Sequence, residues 1–588
     1  MILCTLTVSI MVATIKSEFN PNLGLSVFNN HAQLTDEEYE RLKSDCEDYE
    51  AFHIFVTTAA TDPLMLELDE FVRDYQGAKE RGSDYDSEEN ENIGAGRYPS
   101  PMLLTILILK EHEHLSFDLL ARRVRYDLSF RYALGIDDIH CSAPSESKIK
   151  SFARAVKLFN ESKSLELGRS YSIFNEVLKN LGISTVRYFG KNKYTGILRL
   201  DSTLAGSKIA HHSRPEIIIS VLKDYLAGLS FEQSESLTLR TTEEWPLIMD
   251  ILGIGGKKMS YEMSDSGEAV MRYLGFALSS ILDDVKKGII SETAEFPLLE
   301  RVYMDQFNEK TGGPVLKPGK EIKADSLQNV NDPDASYANK YGPVQGEVVN
   351  ASEIIAKRET VTDEDGNEIS RPMAPHVLTG IQVETAATGD TEFIDESVES
   401  AQEIGNACGH AITGVLGDGG YASLEKSQEL KEKGINLMTT ELKGKESAFE
   451  YKLQDDGTLL VTDRRNPEIT YVAIPANTKN CSRKWKFTFT DQDGKEKARY
   501  ITEDALKHQE IREKQKALPS EIKKGRNNVE ATMKEVKSGW YKGKIRYRRK
   551  IRILTALSAK AVGIQIRRII NFCKKYGEDL PKLCQNWG

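Results

Sequence analysis

Apolar and polar positions along the chain change period several times, and each change marks an expected element. Leu34-Thr35-Asp36-Glu37-Glu38 carries an N-cap threonine with acidic residues in the first turn, and Glu67 to Tyr75 continues in similar style. A helical pair is therefore expected over residues 1–80. Gly82 to Asn92 is acidic and almost devoid of core formers, which predicts a linker over 81–96. Pattern resumes at Arg97-Tyr-Pro-Ser-Pro101, where Ser100 can cap a helix and Pro101 suits its first turn. Met102 to Leu109 is apolar on every side, so this helix should be central to a small bundle. Further helices are expected from Ser116, from Asp127 to Leu134 with Gly135 as the stop, and from Ser145. Together they predict a helical domain over 97–185.

From Tyr188 the pattern turns to strand, and Thr195 to Leu200 leads straight into Asp201-Ser-Thr203. Residues 210–300 read as a helical insertion, with Ile217 to Leu229 and Val270 to Val285 as the clearest periodic stretches. A loop containing Asn331-Asp-Pro-Asp-Ala-Ser336 follows. Asp363-Glu-Asp-Gly366 lacks the glycine and glutamate positions of a calcium loop and is expected to be a hairpin turn. Val377 to Thr385 alternates as a strand, Glu396 to Cys408 is helical, and Ala411 to Gly417 runs as a strand into Asp418-Gly-Gly-Tyr421. Helix Ser423 to Lys433 then precedes strand Ile435 to Thr440. A β-rich insertion over 443–515 contains one clear hairpin, Lys484 to Thr490 with Lys495 to Ile501. The C-terminal third is helical, and 576–588 reads as a tail.

Composition adds less than pattern. A chain of 588 residues with 40% hydrophobic and 28% charged residues is an ordinary soluble protein of two to four domains. The apolar run Ile2 to Ile15 is too short to span a bilayer and has no basic segment before it, so neither membrane insertion nor a signal peptide is expected. The seven cysteines have no CxxC spacing, which predicts reduced thiols and no zinc site. Net charge is -11, yet the stretch from Glu521 to the end carries about +13. That excess peaks in Tyr541 to Arg552, where Lys544, Arg546, Arg548 and Arg549 alternate with aromatic and apolar residues. A basic patch of this kind in an acidic protein is a localised anion site, and nucleic acid is the expected partner. Lys148 and Lys150, in the first turns of the helix from Ser145, suit backbone phosphates.

Three acidic residues carry the candidate chemistry. Arg526, Glu530 and Lys537 lie at helical offsets that fall within roughly 40° of one another, a carboxylate between two cations. Asp201 and Asp418 each follow an apolar strand and precede a loop or helix, and catalytic groups of α/β sheets sit at such strand ends. Each has a plainer explanation: a salt-bridged helix face, an N-cap and a tight turn, respectively. Were the three to converge, they would make an all-oxygen site suited to Mg²⁺ or Mn²⁺. Two such ions about 4 Å apart clamp the attacking and leaving oxygens of a phosphodiester displacement.

These residues resemble the DDE transposases of bacterial insertion sequences, in the group whose third acidic residue lies in a Tyr-x2-Arg-x3-Glu-x6-Lys signature. Arg526-x3-Glu530-x6-Lys537 matches its last three members, while Lys523 stands at the tyrosine position. Asp201-Ser-Thr203 resembles the first Asp segment, Gly417-Asp418-Gly-Gly-Tyr421 the second, and Asn331-Asp-Pro-Asp-Ala335 a stretch between them. Arg97 through Gly135 and Pro144-Ser-Glu-Ser147 are similar to the family's helical N-terminal domain.

The resemblance implies an α/β fold: an RNase H-like catalytic core over 186–575 with a β-rich insertion, preceded by a helical DNA-binding domain. It implies that Asp201, Asp418 and Glu530 are catalytic and hold two Mg²⁺ (or Mn²⁺) ions. One ion would activate water to nick the element's end, and the freed 3′-hydroxyl would then attack target DNA. Arg526 and Lys537 would contact phosphates beside the cut, and Lys544, Arg546, Arg548, Arg549, Lys148 and Lys150 would bind DNA elsewhere. The implied partners are double-stranded element ends and target, bound as a homodimer without a membrane, in the cytoplasm at the nucleoid. Some relatives carry a cysteine cluster near the β-rich block; here only Cys481 stands there, so no metal is expected in it. A nuclease without strand transfer, or a DNA-binding protein derived from a transposase, are the alternatives; the second would need a broken triad.

Overall fold

The computed structural model describes residues 37, 41, 47–58, 62–81, 98–136, 143–254, 267–310, 312–340, 342–362, 366–440, 446–476, 483–490 and 495–578, with backbone alone at 57–58, 76–81, 520–521 and 523–529. The expected N-cap at Thr35, the acidic segment 82–92 and the side chain of Arg526 lie outside the described residues.

The chain opens with helices α1 (Glu47–Thr58), α2 (Pro63–Arg81), α3 (Ser100–His112), α4 (Phe117–Tyr126), α5 (Leu128–Ala133), α6 (Glu146–Leu167) and α7 (Ile173–Phe189). Helix α3 has no polar face, and every residue from Ser100 to Lys110 is buried. The expected cap at Ser100 is corrected: Pro99 is the N-cap, Ser100 is already helical, and its hydroxyl donates to Asp69 instead. Ser116 and Ser145 do cap their helices, accepting from Leu119 N at 3.2 Å and Lys148 N at 3.3 Å. Helix α7 runs through Tyr188, where strand was expected, because Val177, Leu178, Leu181, Val186 and Phe189 continue a buried helical stripe. Gly190, at φ 89°, ends it.

Eight strands follow: β1 (Tyr194–Gly206), then β2 (Phe307–Lys310) paired with β3 (Gly313–Leu316), β4 (Ser336–Asn339), β5 (Pro343–Ala356), the hairpin β6 (Arg358–Thr362) and β7 (Glu368–Pro372), and β8 (Val377–Thr385). β9 (Gly414–Gly417) and β10 (Asn436–Thr439) complete the main sheet. Its order is β10-β9-β1-β5-β4, with β8 also on β5. β5 is antiparallel to both β1 and β8, whereas β9 and β10 are parallel to β1. The fold is thus mixed α/β with a helical N-terminal part.

Between β1 and β2 lie α8 (Arg214–Gly228), α9 (Phe231–Ser236), α10 (Trp245–Ile254), α11 (Gly267–Lys286) and α12 (Phe296–Gln306), which close a separate core around Leu274, Leu278, Ile281 and Leu299. α13 (Ile394–Cys408) and α14 (Leu424–Glu432) flank β9 in the chain. After β10 comes a five-stranded antiparallel sheet, β11 (Phe449–Leu453), β12 (Leu459–Asp463), β13 (Asn466–Ala476), β14 (Lys484–Thr490) and β15 (Glu496–Thr502). Its core is Phe449, Trp485, Phe487 and neighbours. The hairpin read from the sequence is there, with Trp485 opposite Ile501.

Helices α15 (Glu503–Ala517), α16 (Ser520–Lys537) and α17 (Lys550–Tyr576) close the chain. α17 is buried along most of its length and packs on α3, α7 and β8. One hydrophobic core therefore runs from Ala51 to Cys573, and the N-terminal helices share it with the sheet. Among the described residues no helix is long and apolar enough to cross a membrane.

Candidate active site

β1 and β9 run parallel, with Ile197 opposite Gly414 and Arg199 opposite Leu416. Continuing that register by two residues sets Asp418 level with Asp201, on strands about 4.8 Å apart. Both side chains are half-buried. Asp418 is the first residue after its strand, as expected. Asp201 is not: β1 continues to Gly206, because β5 pairs with it from Leu198 to Gly206 without a break. The expectation that Asp201 closes a strand is corrected, although it remains level with the end of the neighbouring one.

The Gly417-Asp418-Gly-Gly-Tyr421 turn has a steric cause. Tyr421 is fully buried and folds back onto Gly417, where an added Cβ would lie 2.6 Å from its ring. Its phenol donates to Asn350 Oδ1 at 2.6 Å, and burial followed by the nearby Asp390, Asp201 and Asp418 pushes its pKa well up. Gly420 N donates to Asp418 Oδ1 at 2.7 Å, which orients that carboxylate. A Cβ on Gly420 would lie 2.0 Å from Asp390 Oδ2 and 2.8 Å from Asp418 Oδ1.

Asp390, just beyond β8, is thus a third acidic residue at this site, and sequence reasoning missed it. It accepts from Ser202 Oγ at 2.5 Å and pairs with Lys340 Nζ at 2.9 Å. Its only sequence signal is an aspartate in the loop after a strand, the same context that marked Asp418.

Glu530 lies on α16, which packs on β1 and β5. Met533 and Val536 supply the buried contact, and Glu530 and Lys537 are exposed. The helix is anchored by ionic contacts instead of by its apolar stripe alone. Glu353 of β5 accepts from Arg199 Nε at 2.7 Å, from Arg568 Nη1 at 2.7 Å, and from the Thr532 hydroxyl. Burial alone would raise the pKa of Glu353, but the two guanidiniums hold it well below the usual carboxylate range. At the other end of α16, Lys560 donates to Val536 O at 2.9 Å and to Ser538 O.

The sheet register brings Asp201 and Asp418 side by side, and α16 carries Glu530 against the same strand, β1. Among the described residues no group of three or more His, Cys, Asp or Glu side chains stands ready to hold a metal ion. The paired, half-buried, hard oxygen donors of Asp201 and Asp418 fit a divalent cation. Glu530 is on the helix that packs on β1, and its side chain is exposed.

The basic segment expected at Tyr541–Arg552 is a loop for most of its length, with helix starting only at Lys550. It runs along the end of β1: Gly206 N donates to Gly543 O, and Ile545 N to Gly206 O, each at 2.9 Å. Lys544 therefore sits five positions along β1 from Asp201. Arg546 pairs with Glu111 at 3.1 Å and donates to Leu115 O, so it ties the loop to α3 and the turn that follows it. Arg548 donates to Lys208 O at 3.1 Å. Arg549 N and Lys550 N donate to Asp332 and Asp334 at 2.8 and 2.9 Å, which gives the Asp332-Pro-Asp334 stretch a role as the acidic cap of α17. Lys150 lies over the Phe117 ring and pairs with Glu146, and Lys110 bridges Phe117 to Tyr547. Lys148, half-buried beside it, is on the same turn of α6. Lys150 and Lys110 thus share the Phe117 ring, and Lys110 joins it to the C-terminal loop at Tyr547.

Two family models match the chain: Transposase domain (DUF772) over residues 62–155, and Transposase DDE domain over 373–564. The first covers α2 through the first half of α6; the second takes in Asp390, Asp418, Glu530 and Lys537 and begins downstream of Asp201. No curated protein and no solved structure matches the chain significantly. Carried in this order on one polypeptide, the two domains identify the chain as a DDE transposase of an insertion-sequence family.

Proposed function

We propose that this transposase cuts DNA at the ends of its element and transfers the freed 3′-hydroxyl into target DNA, using Asp201, Asp418 and Glu530 on an RNase H-like core. Support for the core is the strand order, in which three antiparallel strands continue into two parallel ones. The observation that carries the site is the level placement of Asp201 and Asp418 on adjacent parallel strands. When bound, two Mg²⁺ or Mn²⁺ ions supply an activated water and Lewis-acid stabilisation of the charge around phosphorus. Asp201 and Asp418 would hold them, with Glu530 completing the oxygen set.

The rest of the reading concerns the chain's own cations. Lys537 and Arg526 flank Glu530 on α16 and contact the phosphates beside the cut, offsetting the acidic cluster. Lys544, Arg548 and Arg549 take the DNA backbone past the end of β1, and Lys148 and Lys150 hold it further out. Arg546 supports that path from behind through Glu111. The assay is linear DNA carrying the element's ends, with Mg²⁺. Joined products are expected; nicks alone would mean a nuclease. Asp418→Asn should abolish both while the protein stays folded, and near-normal nicking by that variant would sink the site.

A further inference from the structure

We infer that Asp390 is a positioning residue that holds the Asp201 and Asp418 segments in register, an inference that rests on the metal-binding reading of that pair. Its side chain touches both segments. One carboxylate oxygen accepts from Ser202, the residue after Asp201. The other stands where a Cβ of Gly420 would be, beside the oxygen of Asp418 that Gly420 N orients. Asp390 is therefore wedged between the two acid-bearing backbones, on the far side of the sheet from Arg199 and Glu353. Successive residues of a strand face opposite ways, so the bond to Ser202 grips β1 without occupying the Asp201 face.

Asp390 does not act as a third ligand in this geometry. Both of its oxygens are engaged, one by Ser202 and the other by Lys340 at 2.9 Å. Its carboxylate is 10% exposed. Lys340 offsets the charge that a further carboxylate would add beside the pair, so the clamp costs the aspartates little repulsion. Groups that orient metal ligands from behind are commonly worth about 10–100-fold in metal affinity.

The test is Mn²⁺ binding to the full chain, followed by the loss of the free-ion paramagnetic resonance signal, with DNA cleavage measured alongside. Asp390→Ala and Ser202→Ala should each weaken Mn²⁺ binding about 10-fold. The metal-free melting temperature should move little, and the double variant should be no worse than the Asp390→Ala single. Ser202→Ala keeps the probe usable if Asp390→Ala fails to fold. Asp418→Asn is the reference. If it weakens Mn²⁺ binding while folded Asp390→Ala and Ser202→Ala bind as wild type, the positioning role is overturned and the metal site stands. If Asp418→Asn also leaves binding unchanged, both fall. Additive effects of the two alanine variants would likewise overturn a shared clamp.

Discussion

The hydroxyl of Thr532 on α16 donates to the buried carboxylate of Glu353, which is the same carboxylate that takes the Arg199 guanidinium of β1. Thr532 is two residues from Glu530, and Arg199 is two residues from Asp201. The third acidic residue's helix and the first acidic residue's strand are therefore pinned at one point.

Removing that point should be costly in a way that separates fold from activity. Glu353→Gln leaves Arg199 and Arg568 buried without their counter-charge, and breaking a buried pair of this kind costs about 3–5 kcal/mol. Thr532→Val removes two hydrogen bonds, the one donated to Glu353 and the one accepted from Arg568, at nearly constant volume and should cost about 1–3 kcal/mol. The expected outcome in urea melts is a large loss for the first and a smaller one for the second. Thr532→Val should still slow cleavage, since α16 loses its tie beside Glu530; unchanged cleavage would show that the tie serves stability alone.

Gly420→Ala should damage the site more than the fold. The backbone there permits alanine, but the new methyl meets Asp390 Oδ2 at 2.0 Å and Asp418 Oδ1 at 2.8 Å. One of the two carboxylates has to move. Cleavage should fall by at least an order of magnitude, about 1.4 kcal/mol in the barrier. A denaturation midpoint near that of wild type is expected with it.

The basic segment divides by role. Lys537→Ala and Lys544→Ala each remove a proposed phosphate contact and should reduce the slope of log affinity against log salt by about 0.9. Arg546→Ala should act differently, lowering the melting temperature by releasing Glu111 and the Leu115 carbonyl from the loop. Binding titrations at several salt concentrations, paired with melts, distinguish the two classes.

Glu347 makes stability pH-dependent. It is fully buried, and burial, then Asp332 and Asp334, push its pKa up to about 9 from an ordinary 4.5. Between those values the native state holds one proton more than the unfolded chain, so stability falls as pH rises. Its contribution is complete below the unfolded pKa and is lost through the folded one. Glu347→Gln should flatten the fall in unfolding free energy between pH 5 and 9 measured by urea titration; an unaltered slope would assign that fall to other groups.

Local pattern was a reliable guide wherever one face of an element meets the core. Val377 to Thr385 is a strand as expected, although both of its faces are buried through Val383, and Ser116 and Ser145 cap because their hydroxyls reach amides of their own first turn. It misled where a partner decides. β1 runs on through Asp201 to Gly206 because β5 offers an unbroken ladder there, something no property of Ser202, Thr203 or Leu204 announces. Arg199 and Glu353 belong to residue types that are rarely fully buried, and both are buried here because each neutralises the other.

By itself, the sequence determined the identities and local settings of the acidic residues: Asp418 at a strand end, followed by two glycines and Tyr421, and Glu530 on a helix between cations. Those settings depend on hydrogen bonds and steric contacts a few residues apart, which periodicity and spacing encode. Only the tertiary structure decided that Asp201 and Asp418 lie level, that Asp390 stands behind them, and that Glu530 faces solvent on the adjoining helix. Sheet register and helix docking are set by pairings across 100 or more residues, such as Arg199 with Glu353 and Thr532 with Glu353. Nothing in the spacing of residues along a chain records which distant partner a buried charge will find.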